Sequence, residues 1–192
     1  MEFSPETIIS ILIGIGLAAS VGFRIFVPLF ALSLASFYNV IPLNESWEWV
    51  GSATAIIILG IATIVEILAY FIPWLDNLLD TIAVPLAAIG GTAVMVATVS
   101  DLDPTITWAL AIIAGGGTAT AIKGSTSSAR LASTATTAGI ANPVISTVET
   151  GTSIVMSILA IFIPILAIIL VVFIGWMLFK VFKLFKPSKS KK

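Results

Sequence analysis

Six charged side chains sit in or beside long apolar stretches, where a charge is hardest to accommodate: Arg24, Glu66, Asp76, Asp80, Lys123 and Arg130. Arg24 has Gly16, Ser20 and Pro28 at i−8, i−4 and i+4, which puts a small, polar, cationic edge on one helical face. Pro28 lacks an N–H, so the carbonyl of Arg24 is free to accept from elsewhere. Glu66 precedes Asp76 by ten residues, which places it roughly 15 Å into a membrane whose edge is at Asp76. Pro73 and Asp80 then follow at seven-residue steps on the same face, provided the helix continues. A buried cation and a buried acid each need a partner, and the spacing favours Arg24 with Glu66. Charges inside a bilayer mark ion paths, proton relays or ligand sites. The competing readings are a static ion pair, an arginine snorkelling to the headgroups, and solvated edge residues at Asp76 and Asp80.

Other chemistry is excluded by composition. There is no Cys and no His, which removes disulfides, thiolate metal sites and the commonest general base. The run Gly115-Gly116-Gly117-Thr118 leading to Lys123 and Gly124 invites comparison with a phosphate loop, but Ile122 stands where that pattern needs glycine before the lysine. Such glycines are either close helix contacts or an opening around a bound anion. No nucleophile–base pair, metal cluster or cofactor fingerprint is present. The expectation is a protein that is not an enzyme, with no cofactor and no catalytic or metal-binding residue.

The elements that must position these charges are membrane helices. The chain is 58% hydrophobic and 10% charged over 192 residues. That predicts an all-α, polytopic integral membrane bundle of about five spans, with proline- or glycine-broken or re-entrant helices. The expected spans are residues 7–36, 51–72, 82–100, 105–122 and 150–179, each of bilayer length. Ser4-Pro5-Glu6 and Asp103-Pro104 read as helix starts, and Ser146-Thr147-Val148-Glu149 as a capping box that makes Glu149 a cap. All five tryptophans fall near span edges, and residues 44–49 read as a short interfacial piece. The first stretch reads either as a tilted broken crossing or as a re-entrant hairpin. Residues 123–149, rich in Ser and Thr, read as a re-entrant or surface-buried element, against a plain loop.

Charge distribution sets the orientation. All ten acids fall at or before Glu149, while six of nine bases are lysines from Lys180 onward. The expected organisation is one transmembrane domain over 1–179 and a cytoplasmic polybasic tail over 180–192, in the cell membrane. The tail suits anionic lipid rather than nucleic acid. The acidic N-terminus lacks the basic region of a secretory signal. Two echoes suggest an inverted repeat or chance likeness among apolar residues. Residues 67–79 match 158–170 at eight of thirteen positions, and residues 16–24 resemble 115–123. A bundle this small also suggests a homo-oligomer.

Residues 14–28 (GIGLAASVGFRIFVP), 66–80 (EILAYFIPWLDNLLD), 130–139 (RLASTATTAG) and 142–149 (NPVISTVE) together resemble the membrane proteins grouped as domain-of-unknown-function family 4126. The resemblance covers almost the whole chain before the tail and implies a small integral membrane protein of no stated substrate. A fainter likeness is to DedA-type lipid translocases, which also pair an acid–proline segment with an arginine–proline segment, here in reversed order. The reading from the residues is a transport protein, transporter or channel-like, with a polar site at mid-membrane for a small anion or a lipid phosphate headgroup. Its rival is a scaffold or assembly subunit that packs partner helices.

Overall fold

The computed structural model describes residues 4–185. Eight α-helices follow in order: α1 (Pro5–Phe23), α2 (Phe26–Phe37), α3 (Ala53–Ala69), α4 (Pro73–Thr98), α5 (Pro104–Leu110), α6 (Gly117–Thr137), α7 (Asn142–Phe162) and α8 (Pro164–Phe185). A 3₁₀ turn over Glu45–Gly51 precedes α3, and a π-helical stretch over Ala111–Gly116 joins α5 to α6 in one continuous helix. The described residues contain no strand. Four helices are long and apolar enough to cross a membrane, or five if the 3₁₀ turn and α3, bent by 66°, make one span. This is a multi-pass helical membrane protein. Of the expected tail over 180–192, residues 186–192 lie outside the described residues.

Helix starts obey local chemistry. Ser4 accepts from the Thr7 N–H, with Pro5 in the first turn, and Asp103 accepts from the Thr105 N–H ahead of Pro104. The box at Ser146–Glu149 is not a start. α7 begins at Asn142, with Pro143 in its first turn, so Ser146 and Glu149 are interior and buried.

α1 is the central post, because its glycines let three neighbours approach its backbone. A Cβ on Gly14 would lie 2.7 Å from Thr98 Oγ1 of α4, one on Gly16 2.8 Å from Ala160 of α7, and one on Gly22 2.6 Å from Ile122 of α6. Gly91 and Gly115 meet just as closely, each against the other's carbonyl oxygen, which assigns Gly115 to helix packing, as Thr92 beside Gly116 does for its neighbour, while Gly117 faces open space.

These contacts also give direction. Along α1, Gly16 lies beside Ala160, Ser20 bonds Ser157 and Ser153, and Arg24 bonds Ser146, so α7 runs antiparallel to α1. α8 then returns: Ala167 lies beside Gly16, while Leu170, Val171 and Ile174 pack on Ala19 and Phe23. The expected span 150–179 is therefore a helical hairpin turning at Ile163-Pro164. The expected span 7–36 also turns back, at Arg24-Ile25, and by Asn44 the chain bonds the Ala97 carbonyl at the far end of α4. Residues 123–137 continue the preceding helix, and the chain turns only at 138–141 before entering α7.

α1 has 19 residues, about 28 Å of rise, and Arg24 caps its far end. Neighbouring helices run on past that level: α6 meets Gly22 at Ile122 and continues to Thr137, and α8 packs on Phe23 at Ile174 and continues to Phe185. The repeat changes as well. The 67–79 and 158–170 hairpins point in opposite directions, but residues 16–24 and 115–123 lie side by side in parallel, with Gly22 against Ile122. An in-plane two-fold axis reverses helix direction, so one such axis cannot relate both pairs.

Candidate functional site

The site is built where helices break. α1 ends at Arg24, whose extended backbone separates it from α2. This break leaves the first amide groups of α2 without intrahelical acceptors. Glu66, near the end of α3, supplies them: Oε1 accepts from Ile25 N–H at 2.8 Å and Oε2 from Phe26 N–H at 2.9 Å. A carboxylate at a helix N-terminus meets both the free donors and the positive end of the dipole. The expected Arg24–Glu66 pair is thus replaced, because Glu66 is held by the α2 backbone and Arg24 turns toward α7.

Arg24 is fully buried. Its Nε donates to Thr150 Oγ1 at 3.0 Å, and its Nη2 donates to the carbonyl and hydroxyl of Ser146 and lies 3.6 Å from Glu149 Oε2. Nη1 has no partner. Arg130 is the hub of the ion pairs. Its Nε and Nη2 fork onto both oxygens of Glu149, and its Nη1 donates to Asp76 Oδ1. Asp76 Oδ2 accepts from Asn142 Nδ2 at 3.0 Å, and the same Nδ2 donates to Thr134 Oγ1. Lys123, 1% exposed, donates to the Tyr70 hydroxyl at 3.3 Å and to no other group among the described residues.

Tyr70 organises the cations. Its ring centroid lies 3.9 Å from the Arg24 guanidinium carbon, 4.6 Å from that of Arg130 and 5.1 Å from Lys123 Nζ. A ring face attracts cations, and burial strengthens that attraction. The ring is 3% exposed and walls two cavities at once. One, of about 320 Å³, has Ile25, Phe26 and Glu66 on its surface; the other, of about 260 Å³, has Asp76, Thr134, Gly139 and Asn142. A third cavity, of about 240 Å³, is lined by Asp80, Ser127 and Arg130, and shares Asn77 and Thr134 with the second.

The structure thus gathers Arg24, Glu66, Asp76, Lys123 and Arg130 around one tyrosine, with Asp80 at the edge. Asp80 does not share a helix with Glu66, since the chain breaks at 70–72 between α3 and α4. Sequence reasoning missed Tyr70 and underrated Glu149. The signal for Glu149 was Asn142-Pro143, a helix start that puts the acid two turns inside an apolar helix. Among the described residues, no three of His, Cys, Asp and Glu converge as ligands for a metal ion.

The model of the family described as Domain of unknown function (DUF4126) matches residues 11–183. No curated protein and no solved structure matches the chain, so the likeness to DedA-type translocases finds no counterpart there. The family match spans the buried ion pairs, the tyrosine between the cavities and every helix that carries them, and on that extent the chain belongs to the DUF4126 family.

Proposed function

We propose that this protein is a membrane transport protein, moving a small ion or a lipid headgroup through the Tyr70 cluster. Tyr70 carries the reading: a buried ring that separates two cavities and holds three cations, placed between two helix breaks. Irregular backbone inside a bilayer is tolerated where protein or a cavity satisfies it, and such breaks absorb the rotations that open a gate. A small anion or a lipid phosphate headgroup would meet cations that are partly engaged: Arg130 by Asp76 and Glu149, and Arg24 by Ser146, Thr150 and Glu149, which leaves Arg24 Nη1 and Lys123 without a carboxylate partner among the described residues.

The surroundings belong to the same proposal. The lysine-rich tail favours a cytoplasmic C-terminus in the cell membrane, held against anionic lipid. Gly117, Gly124 and Gly151 have open space beside them, which offers a second copy close helix contact.

The test is uptake by purified protein in liposomes. Sodium, methylammonium, chloride and phosphate would be followed, together with dithionite access to a lipid bearing a fluorescent headgroup. At least one should move faster than in empty liposomes, and Tyr70→Ala should change that rate while Tyr70→Phe changes it less. If folded protein moves none of them, the reading falls and a scaffold that packs partner helices takes its place.

A further inference from the structure

The cluster holds four carboxylates, Glu66, Asp76, Asp80 and Glu149, against three cations, Arg24, Lys123 and Arg130. Ionised, it is one positive charge short, and an uncompensated charge in such surroundings is costly. One carboxylate, the half-buried Asp80, stands apart from the others. Glu66 is held by backbone amides, and Asp76 and Glu149 by Arg130. Asp80 has no hydrogen bond or ion pair among the described residues, and its buried Oδ1 has no partner.

Two more oxygens nearby are in the same condition. Ser127 lines the Asp80 cavity, and its Oγ has no hydrogen-bond partner among the described residues. Asn142, 7% exposed, lines the adjoining cavity, and its Oδ1 has no partner either. The orientation of that amide is fixed, because Nδ2 donates to Asp76 Oδ2 and Thr134 Oγ1 and the reverse placement would set its oxygen against a carboxylate. The two cavities share Asn77 and Thr134. The unpartnered donor, Arg24 Nη1, belongs to a residue that lines neither; Arg130 lines the Asp80 cavity, with its guanidinium engaged by Glu149 and Asp76.

We propose that the adjoining Asp80 and Asn142 cavities hold one monovalent metal cation of the sodium or potassium class, with Asp80 as its charged ligand and neutral oxygens such as Ser127 Oγ completing its shell. Hard cations take oxygen ligands, and one missing charge calls for a single-charged ion rather than a divalent one. The inference rests on the transport reading only in making this ion the species that moves; binding is measured separately.

The experiment is thermal unfolding of the full chain in lipid nanodiscs at constant ionic strength, with N-methylglucamine chloride replaced stepwise by sodium or potassium chloride. Sodium or potassium should raise the midpoint saturably. Asp80→Asn should fold, since Asp80 has no bond to lose, and should abolish the shift. Ser127→Ala should weaken half-saturation about tenfold. Glu48→Gln, at an exposed acid on the 3₁₀ turn, should leave it unchanged. Equal midpoints in all salts, a shift that responds to pH alone, or a shift kept in Asp80→Asn would each overturn the site. Saturable stabilisation without flux would keep the site and sink transport; flux without stabilisation would do the reverse.

Discussion

The hairpins at 67–79 and 158–170 share eight of thirteen residues, and their five differences separate a site from a turn. The shared residues make the break. Ile72 and Ile163 both leave helical geometry before a proline, and each then accepts the first bond of the next helix, from Asp76 N–H at 2.8 Å and from Ala167 N–H at 3.1 Å. The differing residues decide what the break is used for. Tyr70, Trp74, Asp76 and Asn77 stand where the other hairpin has Ile161, Ile165, Ala167 and Ile168. Asp76 holds Arg130, whereas Ala167 at the matching position is fully buried against Gly16 of α1. Backbone geometry is thus cheap to repeat, and chemistry enters through a few polar substitutions on it.

The largest effects should come from exchanging those substitutions. Asp76→Ala strips Arg130 and Asn142 of a shared partner and should cost about 3–5 kcal/mol, the usual loss when one member of a buried ion pair is removed. Ala167→Asp places a carboxylate against α1 with no cation beside it, and should be as damaging. Thermal unfolding in detergent reads both. If Asp76→Ala cost no more than truncating the exposed Glu48, the cluster would not be the closed network described here.

Next in size are couplings. A double-mutant cycle on Arg130 and Glu149 should return an interaction energy of about 1–3 kcal/mol. The Arg24–Glu66 cycle should be smaller than that, because Glu66 is bonded to Ile25 and Phe26 amides instead. A larger coupling for Arg24–Glu66 would restore the pair that spacing alone suggests. At Glu66 itself, Gln should be milder than Leu. Leu leaves two buried N–H groups unmet, at about 1–3 kcal/mol each, while Gln still offers one oxygen.

What was legible beforehand divides along the same line. Caps at Ser4 and Asp103 could be read because a cap is satisfied within three residues. The five apolar stretches and the charged residues worth attention were likewise visible. The turn at Arg24 was legible only in part: Gly22 and Pro28 mark a broken helix or a re-entrant hairpin, but the acid that holds the turn comes from α3. Residues 123–137 were misread because Ser and Thr lower hydropathy without ending a helix. There, Ser125, Ser128, Thr136 and Thr137 return their hydroxyls to carbonyls of the preceding turn. Tyr70 escaped because a tyrosine at a span edge reads as a headgroup anchor until three cations from α1 and α6 are seen against its ring.

The smallest expected effect tests the part the hairpins share. Pro73 and Pro164 each open a helix at its first position, where the missing N–H would have no acceptor in any case. Their contribution is therefore mainly to restrict the unfolded chain. Pro73→Ala and Pro164→Ala should each lose about 0.4–1 kcal/mol, and by similar amounts. Equality matters more than size, since the two breaks sit in opposite surroundings, one beside the ionic cluster and one among apolar side chains. A loss at Pro73 several times that at Pro164, measured by unfolding under identical conditions, would mean that the first break depends on its proline to hold Asp76 in place. The shared backbone and the acquired chemistry would then not be separable.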